Sequence, residues 1–440
     1  MTSISARGES PTVALERFNK SLKGQALEAS IYSLTSLLKR RQIYDSEPCA
    51  VATANLLLQV VAKSKATDVD QLLSQISTVG SRLVAAQPKE PVVANIVRRV
   101  LGLIRDEAEE DRNGNMSQSS GQATPTGTEP LTTGASTVAG DSFSTLRQAL
   151  TRASTQTPPG PYSVPKTKSL LHLLSAAGPT DGSVFGLNLS GSSTPTSHGR
   201  AKIQTVRSEV IDGIEEIKDE IDQVDDQISA NAEAQIRPGE YVMVHEPSAT
   251  VRRFLLKAAS KRRFTLIVVV HPSRQRTAGT VYADLGKSLA KYGVSTINVV
   301  SSGVTAYMPR VNKVVLGSRA VFADGSVLMD AGTAVIARAA KKQGSAVVIL
   351  SGVYKFSPEI PFDEAALVDW GNPSLAVDYS DGDIVNHVTV ENPVTELITE
   401  DLVDIYVSNL GVHSRDHLSN IIDEHYKQED LEFYTAGDTY

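Results

Sequence analysis

Six short apolar runs in the second half of the chain constrain its fold more than any other feature of the sequence. Within residues 241–409 these runs are YVMVH, FTLIVVV, TINVV, NKVVL, AVVIL and IVNHVTV. Each run except the last is followed by helix-like or irregular sequence. Strands that are apolar at every position are buried on both faces, as in a parallel sheet covered by helices. Residues 236–435 are therefore predicted to form a doubly wound, Rossmann-like α/β domain.

Residues 13–105 have a helical pattern instead. Their apolar side chains recur at spacings of three and four, which is typical of amphipathic helices. The stripes are Leu15, Phe18 and Leu22, then Ile31, Leu34 and Leu38, and later Ile96, Val100 and Ile104. The breakers Ser46-Glu47-Pro48 and Gln87-Pro88-Lys89 are typical of turns between antiparallel helices. This segment is predicted to be an N-terminal helical bundle, which makes the fold class α followed by α/β.

Between the two predicted domains lies a stretch of low complexity, from about residue 106 to residue 200. It begins with the acidic run EAEED and continues with sequence rich in Ser, Thr, Gly and Pro. Such a sequence has too little apolar area to offset the entropy of ordering, so most of it is predicted to be disordered. Two islands, at 143–153 and 166–178, have the pattern of short helices.

The segment 201–235 gives the clearest pattern of a single helix. Its apolar seam comprises Val206, Val210, Ile214, Ile217, Ile221, Val224 and Ile228. Its acidic face comprises Glu215, Glu216, Asp219, Glu220, Asp222, Asp225 and Asp226. Two interpretations stay open: a solvated helix packed on the α/β domain, or a helix whose seam or acidic face contacts another subunit.

The composition favours a large cytosolic protein. A chain of 440 residues with 41% apolar content can bury at least one full core. The net charge of −7 argues against general nucleic-acid binding, and the only cysteine, Cys49, excludes an internal disulfide and a cysteine metal cluster. No apolar run reaches the roughly 18–20 residues that span a bilayer, and MTSISARGESPT lacks the apolar core of a signal peptide. The sequence therefore predicts the cytosol and no membrane contact.

The first strand-to-helix crossing, YVMVHEPSATVRRF, is the best candidate for a ligand crevice. Ser248 or Thr250 is predicted to begin the helix. In a doubly wound domain, ligands bind at the carboxyl ends of the strands, where helix N-termini favour anions. However, neither GxGxxG nor GxxxxGK[ST] is found in the chain, so both a small-molecule site and a purely structural crossing stay open.

No set of residues has the spacing of a catalytic or metal centre. His413 and His417 are four apart, but Ser414 is predicted to cap the following helix, which leaves His413 outside it. Cys49 lies in the helical region, and no serine lies in a GxSxG turn. The sequence therefore predicts no catalytic residue, no metal and no cofactor.

Several segments, in the same order, resemble a known family. They are VRRVLGLIRDE (97–107), EVIDGIEEIKDEI (209–221), TVRRFLLKAASKRRFTLIVV (250–269), RVNKVVLGSRAVFADGSV (310–327) and ELITEDLVDIYVSNLG (396–411). Together they resemble the alpha, beta and delta regulatory subunit family of eukaryotic translation initiation factor 2B, and above all its beta members. The resemblance covers most of the chain except residues 110–165.

The resemblance extends to sugar-phosphate isomerases that share the α/β domain. Those enzymes use a cysteine in a THCNTG-like crossing and an aspartate in a GADR-like loop. In this chain Glu246 occupies the position of the cysteine and Arg319 that of the aspartate. Because a thiol is lost and a carboxylate becomes a cation, the resemblance implies a degenerate site without isomerase activity.

What the resemblance implies is a non-catalytic regulatory subunit of the guanine nucleotide exchange complex for initiation factor 2. The expected partners are the delta subunit across the core, the alpha, gamma and epsilon subunits, and initiation factor 2, whose phosphorylated alpha subunit is sensed by the helical domains. Exchange activity is expected in another subunit, epsilon. The alternative is a metabolite- or nucleotide-binding regulatory module without catalysis.

The family also has a central pocket and subunit interface in its α/β domain. By alignment, Tyr241, Thr265, Ile267 and Ile297 are expected to line it in this chain. Aromatic and aliphatic groups are the usual anchors of protein interfaces, so these side chains are expected to face a neighbouring subunit. For Ile267 the alternative is a place in the core of its own domain.

Overall fold

Five helices form the N-terminal segment of the computed structural model, which describes residues 11–119, 196–270, 275–377, 380 and 382–433. They are α1 (Pro11–Leu22), α2 (Leu27–Lys39), α3 (Ser46–Lys63), α4 (Val69–Ala86) and α5 (Val92–Ser119). Gln87-Pro88-Lys89 forms the predicted turn, but Ser46-Glu47-Pro48 does not. Those three residues open α3, because proline is tolerated in a first turn whose N–H groups have no intrahelical acceptor.

Helices and strands alternate through most of the remaining chain. The helices are α6 (Thr196–Ala230), α7 (Ala232–Gln235), α8 (Ala249–Ala259), α9 (Gln275–Ala290), α10 (Val304–Tyr307), α11 (Thr333–Gln343), α12 (Glu364–Leu367), α13 (Gly382–His387) and α14 (Arg415–His425). The strands are β1 (Tyr241–His245), β2 (Thr265–Val270), β3 (Ser295–Val300), β4 (Lys313–Gly317), β5 (Ala320–Phe322), β6 (Val327–Asp330), β7 (Ala346–Leu350), β8 (Phe356–Ser357), β9 (Thr395–Ile398), β10 (Ile405–Ser408) and β11 (Gly411–His413).

The main sheet has seven strands in the order β11-β10-β7-β4-β1-β2-β3. All its pairings are parallel except that of the short edge strand β11. This arrangement confirms the predicted helical segment followed by a Rossmann-like parallel sheet. Five of the six predicted strands are present.

The sixth predicted strand, IVNHVTV, is wrong. Its first four residues lie in helix α13, and Val388 and Thr389 are exposed. The place beside β7 is taken instead by β10, whose last three residues are buried. A strand covered on both faces needs continuous apolar contact, which Asn386 and His387 interrupt in the predicted run.

A second, smaller sheet was not foreseen from the sequence. It has the order β8-β5-β6-β9, and its strands are two to four residues long. The β5–β6 hairpin turns at Gly325, which has a φ of 90° and therefore suits glycine. Asp330 at the end of β6 and Arg319 directly before β5 line a crevice at the carboxyl ends of β1 and β4.

Two apolar cores lie on opposite faces of the main sheet. On one face, Met243, Ile267, Val314 and Val347 pack with α11 and α14. On the other face, the alternate strand residues belong to the core that also contains the buried side chains of α1–α6, α8 and α9. The helical segment and the sheet therefore share one core.

Helix α6 lies in the middle of that shared core. All seven residues of its predicted seam are buried there, with exposed fractions of 4% or less. Five of the seven acidic side chains are exposed, and α6 packs against α3 and α8. The seam therefore packs within its own chain, and the interpretation of the seam as a contact with another subunit is wrong. Contact of the exposed acidic face with another subunit stays a prediction.

The low-complexity stretch falls mostly outside the described residues, as do both predicted helical islands. At its borders, α5 continues past the acidic run to Ser119, and α6 already begins at Thr196. Among the described residues, no helix is long and apolar enough to cross a membrane.

We expect Ile214→Ala to lower the free energy of unfolding by about 2–5 kcal/mol, because it leaves a cavity in the shared core. Ile214 is 0% exposed. The neighbouring Glu215→Ala is the matched control, since Glu215 lies on the exposed face of the same helix. Urea denaturation followed by circular dichroism measures both, and equal effects would contradict a core that depends on α6.

Candidate functional site

A crevice of about 620 Å³ opens at the carboxyl ends of β1 and β4. The helical segment covers it from one side and the two sheets form the other. Its charged and polar lining includes Asp45, Ser46, Glu47, His245, Glu246, Ser248, Ser318, Arg319, Asp330 and Lys355. Glu246 and Arg319, which are 73 positions apart in the sequence, therefore line one cavity.

The β1–α8 crossing forms the floor of the crevice. The Ser248 side chain accepts a hydrogen bond from the Val251 N–H at 3.4 Å, so Ser248 rather than Thr250 is the N-cap. Gly317 lies against this cap, and a Cβ at that position would be only 2.7 Å from Ser248 Oγ. Glu246 has a φ of 39°, which is uncommon for a residue other than glycine.

Arg319 holds the two sides of the crevice together. Its Nε and Nη2 donate to Asp330 Oδ1 at 3.0 and 2.8 Å, and its Nη1 lies 3.3 Å from Asp45 Oδ1. Its carbonyl oxygen accepts a hydrogen bond of 2.9 Å from Ser46 Oγ. Burial opposes the charge of Arg319, but Asp330, Glu90 and Asp45 outweigh it and raise the pKa of the guanidinium. Arg319 is therefore a fixed cation in a network of ion pairs.

The charge balance of the crevice disfavours a phosphate. Lys355 is the second cation; its Nζ donates to the Ser318 carbonyl at 3.0 Å, and burial lowers its pKa. The lining also carries carboxylates, including Glu47 and Glu246. With Arg319 engaged by two aspartates, Lys355 and the N-terminus of α8 are the groups left to favour an anion.

The joint between the helical segment and the α/β segment borders the crevice. We define it as residues 40–46 and 87–90 facing residues 317–319 and 368–369. Arg41 forms a bidentate ion pair with Asp369, and Lys89 Nζ donates to the Val368 carbonyl at 2.6 Å. No local pattern in the sequence predicts these contacts, since each joins residues more than 270 positions apart.

The other candidates of the sequence form no reactive centre. The rings of His413 and His417 are stacked with centroids 5.5 Å apart, and His413 Nε2 lies 2.8 Å from Ser408 Oγ. Ser414 is at the N-cap position of α14, as predicted, although its side chain makes no capping hydrogen bond. Burial, together with Glu90 and Asp45, raises the pKa of the Cys49 thiol. In the part of the chain that the structure describes, no group of three or more His, Cys, Asp or Glu side chains could hold a metal ion.

The four residues predicted for a central pocket lie together but outside this crevice. The strand register pairs Tyr241 with Thr265 and Ile267 with Ile297, which places all four on one face of β1, β2 and β3. Ile267 is 0% exposed within the chain and packs in the second core. This burial favours the alternative that Ile267 belongs to the core of its own domain. Tyr241, Thr265 and Ile297 are half-buried.

A parallel sheet with a crevice at its carboxyl edge, covered by a helical segment, defines the structural class, and comparison with known proteins defines the family. The model of the Initiation factor 2 subunit family matches residues 42–415, and the chain belongs to that family. It is 30% identical over 407 residues to translation initiation factor eIF2B subunit beta of Schizosaccharomyces pombe, which covers 91% of this chain and 96% of that protein.

Two further comparisons place the fold among assembly subunits and enzymes. A chain of the tetrameric eIF2B-beta2-delta2 complex from C. thermophilum is 40% identical, with a TM-score of 0.62 and coverage of 93% of this chain and 99% of that chain. Ribose 1,5-bisphosphate isomerase of Pyrococcus furiosus is 26% identical over 213 residues, or 48% of this chain and 64% of that protein.

We expect Ile267→Asp to unfold the protein, because an unpaired carboxylate in the second core costs several kcal/mol. Ile297→Asp is the matched control, since Ile297 neighbours Ile267 in register but is half-buried on the edge strand. Circular dichroism and size-exclusion chromatography distinguish the two outcomes. A folded, monodisperse Ile267→Asp protein would refute the assignment of Ile267 to the core.

Proposed function

We propose that this chain is a non-catalytic regulatory and structural subunit of the guanine nucleotide exchange complex for translation initiation factor 2. The similarity to eIF2B beta subunits along nearly the whole chain supports this proposal. The ion pairs of Arg319 are the main observation in support of a non-catalytic role. At the position that the resemblance assigns to the isomerase aspartate, this cation is neutralised by Asp330 and Asp45.

Proton transfer on a sugar phosphate needs a free acid or base near the reacting carbon. A guanidinium with a raised pKa, held in two ion pairs, supplies neither. Glu246 at the position of the cysteine offers a carboxylate in place of a thiol, so no thiolate can form there. These two replacements support a crevice that lacks both the thiol and the free carboxylate of the isomerases, while the fold around it is kept.

Assembly is the second part of the proposal. A similar chain occurs in a complex of beta and delta subunits, which supports delta as the partner across the core of this protein's complex. The resemblance implies alpha, gamma and epsilon subunits as further partners. It also implies that the helical segment contacts the alpha subunit of initiation factor 2. The cytosol is the proposed location, as for translation itself.

The edge of the main sheet beyond β2 is the surface we assign to a subunit contact. Strand β3 is paired along its whole length on one side only. Tyr241, Ile297 and Tyr307 are half-buried apolar side chains that pack at the margin of the second core. Val300 at the end of β3 is 38% exposed. Edge strands of this kind pair or are covered in native assemblies.

A metabolite- or nucleotide-binding regulatory module is the alternative function. The crevice of about 620 Å³ and the N-terminus of α8 within it favour this alternative. The excess of carboxylates around Arg319 opposes anionic ligands. Differential scanning fluorimetry with sugar phosphates and nucleotides separates the two functions, because a ligand that binds the folded state raises its Tm.

For the assembly proposal, we expect native mass spectrometry of the chain coexpressed with the other four subunits of initiation factor 2B to show a complex that contains it. Ile297→Asp places a charge in the proposed contact and is expected to release the chain in folded form. Val412→Asp, on the opposite edge strand, is the matched control and should assemble normally. A wild-type chain that enters no complex would refute the proposed function; an Ile297→Asp chain that assembles normally would refute the surface alone.

For the catalytic question, we expect the purified chain to convert no ribose bisphosphate under single-turnover conditions. The reason is the missing thiol and the neutralised cation at the two isomerase positions. The isomerase relative under the same conditions is the positive control. Stoichiometric conversion by this chain would contradict a non-catalytic role.

A further inference from the structure

Glu90 is a buried carboxyl group at the joint, outside the crevice and unused by the proposed function. It ends the turn between α4 and α5 and is 5% exposed. In the described part of the chain, its Oε1 has no hydrogen-bond partner. Burial at this place destabilises the ionised carboxylate, because the lost hydration is not fully replaced by hydrogen bonds.

The charged and titratable groups that face Glu90 come from every element packed around it. They are Asp45 from the α2–α3 loop, Cys49 from α3, Arg319 from the β4–β5 turn, and Tyr354 and Lys355 from the segment after β7. The Ser46 hydroxyl at the start of α3 also lies beside Glu90. Arg319 already makes three short contacts with Asp330 and Asp45. Glu90 therefore competes with two other carboxylates for the same cation.

Burial is the largest cause of the change in acidity at Glu90, and it outweighs the attraction of Arg319. The pKa of Glu90 is raised from 4.5 to about 7. The joint as it stands, with the helical segment closed on the crevice, therefore prefers a protonated Glu90. When Glu90 is exposed to water, its pKa returns to the ordinary value, so opening of the joint releases a proton between these two pH values.

The loop that covers Arg319 is strained. Arg41 and Asp45 have φ values of 52° and 70°, and non-glycine residues rarely adopt this conformation. Each of them makes an ion pair across the joint, with Asp369 and Arg319 respectively. A strained backbone persists only where surrounding contacts hold it. Weakening of these two ion pairs therefore favours relaxation of the loop.

We propose that the joint is a pH-sensitive latch, in which Glu90 holds a proton while residues 40–46 are closed on Arg319 and releases it to solvent when this loop lifts. The carboxyl group is buried in the closed state, and lifting of the loop gives water access to it. Acidification therefore tightens the latch, and a rise in pH from 5 towards 7 loosens it. Above about pH 8 Glu90 is ionised in both states, and the effect levels off.

Hydrogen exchange of peptides from residues 40–46, in the full chain, tests the latch. After correction for the chemical exchange rate, the opening constant of the wild type is expected to rise about fifteenfold between pH 5.5 and 7 and to level off above about pH 8. Glu90→Gln keeps the shape of the side chain but has no titratable proton, so its opening constant is expected not to change with pH. Asp222→Asn, an exposed carboxylate on α6, is the matched control and should keep the wild-type rise.

Infrared spectroscopy of the wild type provides a second measurement that does not depend on a folded variant. A protonated carboxyl band that disappears with a midpoint near pH 7 supports the latch. Its absence at pH 6 would overturn the proposal, as would a rise of the opening constant in Glu90→Gln equal to that of the wild type. Neither result depends on subunit assembly, so failure of the latch and failure of the proposed function are distinguishable.

Discussion

The apolar seam of α6 is the constraint on which the rest of the structure depends. Its seven side chains are buried among residues of the N-terminal helices and of one face of the main sheet. Because this one helix contributes to both, the helical segment cannot leave the sheet without exposing a large apolar area. The position of α3 over the crevice, and with it the joint at Arg319, follows from this packing.

The crevice of this chain follows from the topology of the main sheet, whereas its chemistry depends on the side chains that line it. The crevice at the carboxyl ends of β1 and β4 comes from the sheet topology and exists whatever side chains line it. Function depends on those side chains instead. Here Arg319 binds the carboxylates of Asp45 and Asp330, and these ion pairs join the two sides of the crevice.

Local patterns in the sequence predicted the elements whose burial is uniform. The parallel strands β1 and β2, the seam of α6 and the Ser248 cap follow from spacing and side-chain type alone. Position in the sheet was harder to predict. The sequence alone does not show whether Ile267 belongs to an interface or to a core, and the register places its side chain in the second core. The run IVNHVTV has the composition of a strand, but β10 occupies the place beside β7. The contacts of Glu90 and Arg319 depend on tertiary packing, for which the sequence has no local signal.

Urea denaturation monitored by two probes tests most directly whether the helical segment and the sheet form one unit. The only tryptophan, Trp370, adjoins Asp369 of the joint and reports on the α/β segment. Hydrogen exchange of peptides from α3 and α4 reports on the helical segment. A shared core predicts coincident transitions with one midpoint. Loss of protection in α3 and α4 at a urea concentration where the Trp370 fluorescence is still native would contradict it.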